Sequence, residues 1–74
     1  MKKSWSYEEV TESAEEAIRA CMSLAKEYES EPETARIFRH HAFGAYTAWS
    51  YIVMGWIEDG DKERLAKLAG MEQP

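Results

Sequence analysis

Residues Ala42 to Ile57, AFGAYTAWSYIVMGWI, constrain this chain more than any other stretch. They are sixteen consecutive residues without a charge, and they hold five of the nine aromatic side chains. A chain of 74 residues has little other surface with which to cover them. So short a domain buries only about 60% of its unfolded surface, and its core is marginal without a disulfide, a metal or a partner. Cys21 is the sole cysteine, so an internal disulfide is excluded. That usage fits a reducing compartment. The opening MKKSWSYEEV has no apolar run behind its lysines, which is unlike a secretory signal. The expectation is a single cytoplasmic domain over 1–74, with 1–5 and 71–74 as frayed tails.

Apolar periodicity predicts an all-α fold. Ser6-Tyr7-Glu8-Glu9 reads as a capping box, with Trp5 and Val10 placed to form a hydrophobic staple across it. From there Tyr7, Val10, Ala14, Ala17, Cys21, Leu24 and Tyr28 recur at three-four spacing, and no Gly or Pro interrupts 7–29. Ser30-Glu31-Pro32-Glu33 forms a short joint. Proline suits the first turn of a new helix, so either Glu31 or Ser30 caps it. A second helix over about 32–58 has the seam Ala35, Phe38, Ala42, Ala45, Trp49, Ile52 and Trp56. Gly60 is placed to end it, and Asp61 to cap a short third helix over about 62–69, which Gly70 closes. Short joints make the two long helices antiparallel neighbours. The predicted fold is an antiparallel hairpin plus a short helix, assembling into a dimeric helical bundle.

The second helix is apolar on three sides, whereas a surface helix needs one apolar stripe. Its seam is assigned to helix one. Phe43, Tyr46, Val53 and Ile57 are assigned to helix three. Gly44, Ala48, Tyr51 and Gly55 are left over as the expected oligomer face. Phe38, Tyr46, Trp49 and Trp56 are the expected core or interface aromatics. A membrane does not fit the stretch. Sixteen residues at 1.5 Å rise reach about 24 Å, short of a hydrocarbon core of about 30 Å. A second copy, or another protein, is the expected cover.

Charge and motif narrow function further. A net charge of −5 disfavours binding to a phosphate backbone, which needs clustered Lys and Arg. Arg36, Arg39 and His40 make a spot and not a stripe. Glu8, Glu9, Glu12, Glu15 and Glu16 crowd the start of helix one, where like charges repel at one-turn spacing. Lys62, Arg64 and Lys67 on helix three are expected to answer them. Adjacent His40 and His41 diverge by about 100° on a helix, and no other ligand stands one turn away. His40 is expected exposed and His41 partly buried, with no metal, cofactor or catalytic residue assigned.

The readings are therefore ranked. First comes a non-catalytic protein–protein interaction module of bacterial or phage accessory or regulatory type, a homo-oligomer through 42–57. Second is an acidic inhibitor that imitates nucleic acid through the Glu8, Glu12 and Glu15 row. Third, Glu8-Glu9-Val10-Thr11-Glu12 is similar to the E-E-x-x-E element of the all-α nucleotide pyrophosphohydrolases of the MazG type, and Glu58-Asp59-Gly60-Asp61 resembles their later E-x-x-D. That resemblance implies magnesium held by Glu9, Glu12, Glu58 and Asp61 around a nucleoside triphosphate. The chain departs from the pattern in a gap of 45 residues between the elements and in a glycine inside the second one.

Overall fold

The structure, a computed structural model, describes residues 5–70. The fold is all-α, three helices with no strand among the described residues. Helix α1 spans Tyr7–Glu27, α2 spans Pro32–Ile52 and α3 spans Asp61–Leu68. The two long helices pack along each other, and α3 folds back across both. Of the predicted tails, 1–5 and 71–74, all but Trp5 lie outside the described residues.

The start of α1 follows its sequence signal. The Glu9 amide donates to Ser6 Oγ at 3.1 Å, and the Ser6 amide donates to Glu9 Oε1 at 3.0 Å, closing the capping box. These bonds satisfy two amides that a helix N-terminus leaves without partners. At the joint, Glu31 is the cap residue and Pro32 opens α2, without a side-chain cap bond. The fixed φ of proline and its missing N–H suit that position.

The packing seam of α1 departs from expectation. Thr11, Ile18 and Ala25 are its buried residues, seven apart, with Tyr7, Ala14 and Cys21 half-buried between them. Ala17 is exposed, and Val10 and Leu24 are only half-buried. The centre of the seam is thus rotated by about 70° from the apolar row read in the sequence. The reason is a polar residue. Thr11 is buried because its Oγ accepts the indole N–H of Trp49 at 2.9 Å. A threonine with a buried partner belongs in a core that hydrophobicity alone would deny it.

On α2, Ala35, Ala42, Tyr46 and Trp49 are buried, and Phe38 and Ala45 are half-buried. The core is completed by Ile18, Val53, Leu65, Ala66 and Ala69. The second helix ends at Ile52 and not near Glu58. Residues 53–56 turn, with the Trp56 amide donating to the Val53 carbonyl at 2.8 Å and Gly55 at φ +87°. That left-handed geometry admits glycine without steric cost. The early turn lets Val53 cap the core and returns Ile57 to it. Gly55 therefore stops the helix it was expected to line, and Gly60, at φ +88°, is the N-cap of α3. Asp61 is not that cap: it lies in the first turn and is engaged elsewhere.

Candidate interaction surface

Three polar contacts fasten α3 and its approach to α1. Tyr7 donates its phenolic proton to Asp61 Oδ2 at 2.7 Å and accepts the Glu58 amide at 3.1 Å. Arg64 pairs with Asp61 at 3.1 Å and with Glu15. Arg19 adds a one-turn pair to Glu15 at 2.8 Å. The carboxyl of Asp61 is held below its usual range, first by the Tyr7 hydroxyl and then by Arg64. Glu15 is held low by hydrogen bonds from Arg64 and Arg19. Desolvation, and after it the Asp61 carboxylate, pushes the Tyr7 hydroxyl up, partly offset by the Glu58 amide. The expected meeting of the acidic start of α1 with the basic third helix is thus seen in Glu15 and Arg64.

These contacts fix which side of the hairpin is covered. Glu15 faces Arg64, and the Met22 methyl lies 3.4 Å from where a Gly70 Cβ would stand. Both residues lie to one side of the Thr11–Ile18–Ala25 row. At about 100° per residue, Val10, Ala14 and Cys21 lie to the other side. On that side a groove runs between the helices, lined by Trp5, Val10, Ser13, Ala14, Ala45, Ala48, Trp49 and Ile52, with a volume of about 530 Å³. A second hollow of about 320 Å³ shares Trp5, Val10 and Ile52 and continues to Tyr7, Val53 and Trp56. No charged side chain lines either hollow. Tyr51, Ile52 and Trp56 are 68%, 67% and 75% exposed, and Trp5, Ile37, Phe43 and Met54 are exposed too.

The anticipated site residues separate into three groups. Trp49 (1% exposed) and Tyr46 are core, with ring centroids 6.0 Å apart. Phe38 is half-buried, stacked on Tyr28 at 5.8 Å and edge-on to His41 at 6.3 Å. Trp56 and Ile52 were assigned to the seam with helix one and instead stand in solvent, because the chain turns after Ile52. Phe43, assigned to helix three, is exposed as well. Gly44 and Tyr51 share the outer side of α2, whereas Ala48 lines the groove, and a Cβ on Gly44 would meet nothing within 4 Å. Gly55 is not on that helical face, since it lies in the turn. His41 is exposed, contrary to its partly buried assignment.

Sequence reasoning missed Trp5 and Ser13 as groove residues. The staple motif pointed to Trp5, whereas a lone serine between two acidic turns gave no signal. Two of the four carboxylates implied by the pyrophosphohydrolase resemblance are engaged separately. Glu9 closes the cap, and Asp61 bonds Tyr7 and Arg64. Among the described residues, no three His, Cys, Asp or Glu side chains converge as a metal site would require. No helix among them is long and apolar enough to cross a membrane. Comparison with protein-family models, curated proteins and solved structures finds no match to this chain.

Proposed function

We propose that this chain is a non-catalytic helical interaction module that works by self-association through the apolar stretch 42–57. The observation that carries the reading is the exposure of Trp5, Ile52 and Trp56 together along hollows that no charged side chain lines. Scattered apolar residues are ordinary on a surface; contiguous ones rimmed by polar groups mark interaction sites. Tryptophan and tyrosine are also the residues that most often dominate interface energies. The acidic-mimic reading is weaker, because Glu15, the last of its row, is paired with Arg64 and Arg19. The test is sedimentation equilibrium or light scattering across the micromolar range. Self-association gives a mass rising towards twice 8.5 kDa with concentration. A constant 8.5 kDa throughout would sink the proposal.

A further inference from the structure

Two faces of the hairpin are open to a second copy. One is the outer side of α2, carrying Gly44 and Tyr51. The other is the groove face, which both long helices build together on the side away from α3. We infer that the mating face is the groove face and that its occupant is the groove face of a second copy, giving a four-helix bundle. This rests on the self-association proposed above and adds which surface is used.

Charge is the first argument. A two-fold interface meets itself, so any net charge on it meets the same sign. Each copy carries −5, yet the groove lining is uncharged from Val10, Ser13 and Ala14 on α1 to Ala45, Ala48 and Ile52 on α2, and Cys21 continues the same side of α1 by helical spacing. No glutamate of α1 lines the groove, and Glu15 is turned towards α3. A basic partner helix would instead meet a surface with no carboxylate to pair with it.

Area is the second argument. Helices α1 and α2 each have 21 residues. At 1.5 Å per residue and about 10 Å between axes, the pair along its full length presents at most about 600 Å² per copy, or about 1,200 Å² in all. That reaches the lower bound of specific, stable interfaces, about 1,200 Å² in total. The outer side of α2 alone is one helix wide and offers about half as much. Trp5 and Ile52, which wall the groove at one end, add rigid apolar area to the helix pair.

The test separates the two faces. Ser13 is exposed and lines the groove, while Tyr51 stands on the outer side of α2. Ser13→Glu places a carboxylate in the groove interface and is expected to weaken dimerisation about 30-fold or more, with helicity by circular dichroism unchanged. Tyr51→Glu is expected to change it by less than about 3-fold. In the wild type, alkylation of the Cys21 thiol slows as dimer forms. Dimerisation strengthens with salt, because two copies of like charge repel less when screened. A dimer lost in Tyr51→Glu but kept in Ser13→Glu, with Cys21 equally reactive at all concentrations, overturns the face while leaving self-association intact. A wild type that stays monomeric overturns both.

Discussion

At the scale of single residues, one hydrogen bond sets the register of the hairpin. Among the described residues, Thr11 is the only buried one classed as polar, and it accepts from Trp49. Among the described residues, no buried side-chain donor or acceptor is left without a partner. Thr11→Val keeps the shape and removes the acceptor, stranding the indole N–H. That is expected to cost about 1–3 kcal/mol in denaturant unfolding. Adding Trp49→Phe should then cost less than the two single changes combined, because the stranded donor is gone. The tryptophans are expected to diverge sharply. Trp49→Ala removes a fully buried ring and should cost about 3–5 kcal/mol, whereas Trp56→Ala, on the monomer, should stay within about 0.5 kcal/mol. Equal costs would mean that Trp56 is covered within the chain.

At the scale of elements, the two glycines of the apolar stretch have opposite roles. Gly44 sits inside α2 with open space at its Cβ position, so Gly44→Ala should stabilise by about 0.5–1 kcal/mol through helix propensity. Gly55 adopts φ +87°, so Gly55→Ala should destabilise by about 1–2 kcal/mol. Thermal unfolding of the pair reads both signs. Docking of α3 carries a pH dependence. Asp61 and Glu15 have carboxyls lowered in the folded state. Their contribution is therefore complete above the ordinary carboxylate range and is lost as pH falls below about 4. Tyr7 is raised, so its contribution is complete below about 10 and lost as pH climbs further. The midpoint of unfolding should fall at both ends of a pH series. Glu15→Gln should flatten the acid limb, and Tyr7→Phe should remove the alkaline contribution of this group. An acid limb unchanged in Glu15→Gln would show that the Arg64 pair adds nothing to the docking of α3.

At the scale of the whole molecule, three helices do not cover all sides of α2. The shortest dimension of the Cα trace is 14 Å, about the depth of one helix laid on another. Helix α3 has only 8 residues and covers one side of the hairpin at one end. The remaining apolar surface is thus a property of the architecture, and it makes stability depend on concentration if copies associate. The melting temperature of the wild type should rise with protein concentration, and that of Ser13→Glu should not. A melting temperature independent of concentration in the wild type would rule out self-association of the folded chain through any face.

The sequence by itself determined what depends on neighbours along the chain. The capping box at Ser6 and Glu9, the proline opening α2, the glycine after α3 and the number and order of helices are all set by bonds within a turn or two. It also showed that α2 had more apolar surface than a single seam requires. Only the tertiary structure decided the rotation of α1 and the point where α2 stops. The rotation hangs on residues far apart in sequence, since Thr11 meets Trp49 across 38 positions; the stop is a local turn at Gly55 that brings Val53 and Ile57 onto a core built by the other helices. The rotation turned Val10, Ala14 and Cys21 from the seam towards the groove. The turn at Gly55 moved Trp56 into solvent. Helical periodicity gives the angle between two residues on one helix, but a polar partner on another helix chooses which of two near-equal apolar rows is buried.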